Sequence, residues 1–110
     1  MTLANSDHSM NPDSKNAIEE LEAFEIVFKA LAHASRRNIL VVLNARGGQM
    51  TAGEITNRFE HKWPTITRHL RQLEHAGLVS VEKIGREQFY TLEKDKLNRV
   101  MSNWIKWFKD

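Results

Sequence analysis

Cysteine is absent from the sequence. That excludes disulfides, thiolate metal sites and any thiol-based redox switch. Nor is there an apolar run approaching the roughly 20 residues that a bilayer-spanning helix requires. The first residues, MTLANSDHSMNPDSKN, lack the basic-then-apolar pattern of a secretory signal. The expected location is therefore the cytoplasm, with no membrane partner. Gly47 and Gly48 follow a helical pattern but lack the Lys-Ser/Thr of a phosphate loop. No nucleophile–base spacing and no paired carboxylates suggest a catalytic cleft, so neither an enzyme nor a cofactor is expected. A strong charge of either sign is missing as well: 16 Lys and Arg stand against 14 Asp and Glu, a net +2. With so small an excess, the placement of the charges must decide whether a nucleic acid is a partner.

What is present suffices for one folded domain. The chain has 110 residues, 41% of them hydrophobic and 27% charged, ordinary values for a globular unit that oligomerisation often stabilises further. Residues 1–15 are rich in Ser, Asn and Asp without periodicity and are expected to form a flexible arm, with the folded domain over 16–110. A first helix is expected to start near Ser14 or Asn16. Ile18, Leu21, Phe24, Val27, Phe28 and Leu31 lie on one helical face, and Glu19, Glu20, Glu22 and Glu25 lie on the other. So acidic an element is unsuited to lying on DNA.

Ser35 is the expected N-cap of a second helix carrying Ile39, Leu40, Val42 and Leu43 and ending at Gly47 and Gly48. Thr51-Ala52-Gly53-Glu54 reads as a capping box opening a short third helix through Ile55 to about Phe59. A fourth helix is expected over 63–76, with Pro64 tolerated in its first turn and Gly77 ending it. Two runs rich in β-branched and aromatic residues, 78–83 and 87–92, flank Gly85 and read as a hairpin. A last helix from Glu93 or Lys94 carries Leu97, Val100, Met101, Trp104, Ile105, Trp107 and Phe108. The expected fold is thus mainly α with a small β-hairpin: four helices, the hairpin, then a fifth helix.

The fourth helix carries the functional signal. At 100° per residue Ile66, Leu70 and Leu73 fall within about 60° of one another. Arg68 and Arg71 project from the opposite side with Pro64, Gln72 and His75, and Thr65 and Thr67 flank them. A helix with an apolar back and a front of Arg, Thr and Gln suits a major groove, where Arg pairs with guanine edges and the helix N-terminus favours a phosphate. Lys83 and Arg86 at the hairpin turn stand where they can track a neighbouring backbone. Short helix, turn, polar-fronted helix and hairpin in that order make a winged helix-turn-helix plan, in which the second helix of the pair reads the groove.

Three linked segments resemble the ArsR family of regulators: FKALAHASRRNIL (28–40), TAGEITNRF (51–59) and WPTITRHLRQLEHAGLVSVEKIGREQFYTL (63–92). The resemblance spans roughly residues 24–92. It implies a homodimeric transcriptional repressor bound to double-stranded operator DNA. The helix over 63–76 and the wing over 79–92 would touch DNA, and the first and last helices would build the dimer. Carried over, it puts Thr65, Thr67, Arg68, His69 and Arg71 at the polar positions of the recognition helix. Gln72, Lys83 and Arg86 complete the candidate DNA surface. His69 lies nearest the apolar stripe, where a structural role competes with a DNA contact. Arg36 and Arg37 match the family's paired arginines, as phosphate contacts or as salt-bridge partners steadying the second helix.

The chain also departs from the family. The thiolate sensor needs cysteines, and the other common site needs Asp and His on the last helix, which here holds Asp95 and no histidine. His8, His33, His61, His69 and His75 are scattered over different elements, so no metal site is expected. Any effector, small molecule or protein, is not identified by these residues. Lys62 replaces a small N-cap. Trp63 beside it either packs on the sugar-phosphate backbone or covers the turn between the third and fourth helices, the second being the expectation. Trp104, Ile105, Trp107 and Phe108 exceed one apolar stripe. With Phe24 and Phe28 they make an expected dimer seam, against the alternatives of a helix capping its own core or a pocket for an apolar effector. The alternative to DNA binding is a winged-helix module that binds a partner protein; an acidic or apolar front on the fourth helix would have favoured it.

Overall fold

A computed structural model describes residues 12–60 and 62–109. The helices are α1 (Pro12–Leu31), α2 (Ala34–Ala45), α3 (Ala52–Arg58), α4 (Trp63–His75) and α5 (Lys94–Ile105). The strands are β1 (Gln49–Thr51), β2 (Val79–Ile84) and β3 (Glu87–Leu92). The order of helices and hairpin is the expected one. The first helix starts at Pro12, earlier than the composition of the preceding segment suggests, and most of the arm over 1–15 lies outside the described residues, as do His8 and His61.

Helix boundaries follow from local chemistry. The capping box at α3 is complete: Glu54 N donates to Thr51 Oγ1 at 3.2 Å, and Thr51 N donates to Glu54 Oε1 at 2.8 Å. The Thr51 backbone N–H first, and its hydroxyl second, hold the Glu54 carboxyl below its ordinary pKa. At the other end of α4, Leu78 N donates to Leu73 O at 2.9 Å and Gly77 N to Glu74 O at 2.9 Å. This pair of bonds, with Gly77 at φ 75, is a Schellman stop that needs the left-handed region glycine enters freely. Leu73 and Leu78, the apolar pair such a stop brings together, are both fully buried.

The N-cap of α2 differs from expectation. It is His33, not Ser35: the imidazole Nδ1 accepts from Ser35 N at 3.1 Å. Nδ1 sits a few bonds from Cα, as a Ser or Asp oxygen does, so the same orphan donor is satisfied by a different side chain.

The sheet has three strands in the order β1-β3-β2, where a two-stranded hairpin was expected. Gln49, Met50 and Thr51 pair antiparallel with Thr91, Tyr90 and Phe89. β2 and β3 pair from Val79↔Leu92 to Ile84↔Glu87, leaving Gly85 and Arg86 as a two-residue turn with Gly85 at φ 64. The added strand lies between the glycines that end α2 and the cap of α3, and Met50 is its inward residue. Leu92 N donates to Gly48 O at 2.8 Å, fastening the end of the hairpin to the start of that connection.

The core joins Val27 of α1, Ile39 and Leu43 of α2, Ile55 of α3, Ile66, Leu70 and Leu73 of α4, and Leu78 after it, all essentially without exposure. Each such side chain contributes roughly 1.5–3 kcal/mol by burial. The stripe that anchors α4 is therefore held from three sides, which fixes the direction of its opposite face.

Candidate nucleic-acid interface

The front of α4 is laid out as its periodicity requires. Arg68, Arg71, Gln72 and His75 are exposed, while Ile66, Leu70 and Leu73 are buried behind them. Pro64 occupies the first turn and Lys62 is the N-cap, without a side-chain capping bond. Lys62, Trp63 and Pro64 are all exposed at that end. Lys83 and Arg86 are exposed on the hairpin, Arg86 in the turn itself. Five cations thus cluster on α4, its cap and the wing, whereas α1 exposes Glu19, Glu20, Glu22 and Glu25. Carboxylates interrupt the basic surface at Glu74, Glu82 and Glu87.

Three of the candidate DNA-facing residues, Thr65, Thr67 and His69, are partly or wholly buried. His69 is only 7% exposed. Its ring lies against that of His33, centroids 4.5 Å apart, and its Nδ1 is 3.3 Å from the Arg36 guanidinium. It belongs to the back of the helix, as its angular position 60° from Ile66 implies. Thr65 is half-buried. Thr67 is also half-buried, with an Oγ1 that is buried and has no hydrogen-bond partner. The Thr67 hydroxyl is thus enclosed by the protein.

The paired arginines donate back to the end of α1, Arg36 half-buried and Arg37 exposed. Arg36 Nε donates to Ala30 O at 2.7 Å and its Nη2 to Lys29 O at 3.1 Å, and Arg37 Nη1 donates to Leu31 O at 2.8 Å. These carbonyls belong to the last turn of α1, where Lys29 O also accepts from Ala32 N at 3.3 Å, and a fixed cation beside them complements the helix dipole.

The aromatic residues form a ladder from core to surface. Phe24 and Phe28 are 6.4 Å apart, Phe28 and Trp104 5.3 Å, and Trp104 and Phe108 4.9 Å between centroids. Phe24, placed by the sequence in a dimer seam, is instead part of the protomer core at 4% exposure. Phe28 is half-buried, whereas Trp107 and Phe108 are 58% and 68% exposed. The last two stand on a 3₁₀ turn, Lys106–Phe108, that follows α5.

Sequence reasoning placed Trp63 over the turn between α3 and α4. In the structure it is 42% exposed and lines a groove of about 470 Å³ with Lys83, Arg86 and Gln88 of the hairpin. Ile84 beside the hairpin turn is also exposed; its position next to Gly85 was the only signal of this in the sequence. Tyr90, on the inner side of β3, has its hydroxyl pKa raised by burial first and by Glu74 second, with Arg71 acting against them. Among the described residues no group of three or more His, Cys, Asp or Glu could hold a metal ion, and no helix is long and apolar enough to cross a membrane.

Comparison with known proteins agrees with this geometry. Residues 31–82 match the helix-turn-helix domain family. The transcriptional repressor SdpR of Bacillus subtilis is 38% identical over 79 residues, 72% of this chain and 84% of that protein. An ArsR-like transcriptional regulator from Rhodococcus superposes with a TM-score of 0.69 at 28% identity, covering 80% of each chain. A homodimeric winged helix-turn-helix DNA-binding domain from Mycobacterium bovis gives 0.68 at 26% identity, covering 86% of this chain and 83% of that one. The reading head on α4, the wing beside it and these relatives together establish that the chain belongs to the ArsR family of winged helix-turn-helix transcriptional regulators.

Proposed function

We propose that the chain is a homodimeric repressor that reads a two-fold symmetric operator. Each protomer inserts α4 into a major groove, with Arg68, Arg71 and Gln72 toward base edges and Lys83 and Arg86 of the wing on phosphates. The observation that carries this reading is the division of α4. Its back is locked in the core by Ile66, Leu70 and Leu73, and its front is free, exposed and cationic. Such a face is suited to the acceptor-rich edge of guanine and to the backbone. It is poorly suited to a protein-binding module, which presents an apolar centre.

The dimer is formed by α1 and α5, with Phe28, Trp104, Trp107 and Phe108 in the seam. This region exposes Trp104, Ile105, Trp107 and Phe108 together, and α1 packs directly on α5. The name of the Mycobacterium bovis neighbour, a homodimer, and that of SdpR, a repressor, support the assembly and the sign of regulation. Replacing Arg68 and Arg71 separately by Ala tests the reading head. A bidentate base contact is worth about 1–3 kcal/mol, so each variant should lose operator affinity by roughly five- to 150-fold while the dimer stays intact. Wild-type affinity in both would place the reading head elsewhere.

A further inference from the structure

Trp63 is the first residue of α4, and its large apolar side chain is 42% exposed. It lines a groove with Lys83, Arg86, Glu87 and Gln88 of the hairpin and with Thr51, Ala52 and Gly53, where β1 passes into α3. The groove is open to solvent, unlike the enclosed apolar sites that bury small ligands. It lies between the two elements that the reading above sets on DNA: the end of α4 that leads into the major groove and the wing. A strand of backbone leaving that groove alternates phosphates with deoxyribose rings. The lining offers both kinds of partner, two cations on the wing and one large apolar ring on α4, with one carboxylate, Glu87, among them.

We propose that this groove seats one phosphodiester strand of the operator. The Trp63 indole lies against a deoxyribose, and Lys83 and Arg86 bind the flanking phosphates. The indole N–H is a donor for a phosphate oxygen, while the ring supplies apolar contact that releases no counterion. Trp63 is therefore a source of affinity that does not depend on base sequence and depends little on salt, in contrast to the two cations. The inference rests on the DNA-binding reading of α4, and the test separates the two.

Wild type and the variants Trp63→Ala, Trp63→Phe and Lys83→Ala are titrated by anisotropy at several salt concentrations. The probes are a duplex selected from random sequence by the wild-type protein and an unrelated duplex of equal length. Trp63→Ala should lose about tenfold on both duplexes, equivalent to roughly 1.4 kcal/mol, with the salt slope unchanged. Trp63→Phe should lose less, keeping the apolar face without the N–H. Lys83→Ala should reduce the slope by about 0.9. Thermal unfolding of each variant establishes that it is folded; if Trp63→Ala is not, Trp63→Phe carries the test, together with the part of the DNA-induced emission quenching that Trp63→Phe abolishes against the background of Trp104 and Trp107. Affinity of folded Trp63→Ala within twofold of wild type overturns the proposal while leaving the reading of α4 standing. A loss confined to the selected duplex overturns it as well, because Trp63 would then be reading bases. If the wild-type protein binds neither duplex at low salt, the DNA-binding reading and the inference fall together.

Discussion

The guanidinium of Arg36 meets Nδ1 of His69 at 3.3 Å while its other nitrogens hold the carbonyls of Ala30 and Lys29. One side chain thereby ties the end of α1 to the back of the helix that faces DNA. Arg36→Ala removes a set of charge-assisted bonds in a partly buried site and leaves their acceptors exposed to the core. The expected loss is about 1.5–3 kcal/mol, measured by urea unfolding at matched protein concentration because dimerisation contributes to stability. Arg36→Lys should recover little, since one ammonium cannot reproduce the planar fork.

Thr67 makes the opposite kind of prediction. Its buried hydroxyl has no partner, and valine has the same shape without the polar atom. Thr67→Val should therefore stabilise the protein by about 1 kcal/mol and leave operator affinity unchanged. Destabilisation together with weaker DNA binding would show that the hydroxyl works outward after all.

The capping box gives a pH dependence with a definite sign. The folded state holds the Glu54 carboxyl below its ordinary value, chiefly through the Thr51 N–H. A depressed carboxylate stabilises the fold at pH values above the unfolded pKa, and that contribution is lost as the pH falls through the folded pKa. The stability difference between wild type and Glu54→Ala should accordingly be constant from pH 7 down to the ordinary carboxylate range, then shrink under more acid conditions. Chemical denaturation of both proteins across that range checks it; a difference that grew with acidity would contradict the assignment.

Phe24 and Trp107 separate core from seam. Phe24 is buried within the protomer and Trp107 is exposed. Phe24→Ala should cost about 3–5 kcal/mol of folding stability. Trp107→Ala should leave the protomer folded and weaken dimerisation by about 2 kcal/mol or more, read by sedimentation equilibrium. An undiminished dimer in Trp107→Ala would move the interface away from the end of α5.

Much of this arrangement was legible in the sequence because it rests on local or periodic signals. Ile66, Leu70 and Leu73 repeat at helical spacing, Thr51 and Glu54 stand three apart, and Gly77 follows the last turn of α4. What escaped depends on partners distant in sequence. The position of His69 near the apolar stripe was visible, but its partner Arg36 is 33 residues away, and His33 acts as a cap that propensities assign to Ser35. Strand β1 is only three residues long, too short for alternation to show, and its pairing with β3 depends on the hairpin being in place. Phe24 and Phe28 sit one turn apart on the same face of α1, and only the packing of α2, α4 and α5 decides which of them is enclosed. The groove beside Trp63 escaped for a similar reason: its lining residues on the wing are 20 or more residues later.

The most direct test of the central claim is selection of duplexes from random sequence by the purified protein, followed by a footprint of the winning site over a range of salt. The account predicts a two-fold symmetric site, half-sites one helical turn or a multiple apart, and protection that falls steeply as salt rises. A folded dimer that enriches no sequence, or protects a single unsymmetric half-site, would contradict it.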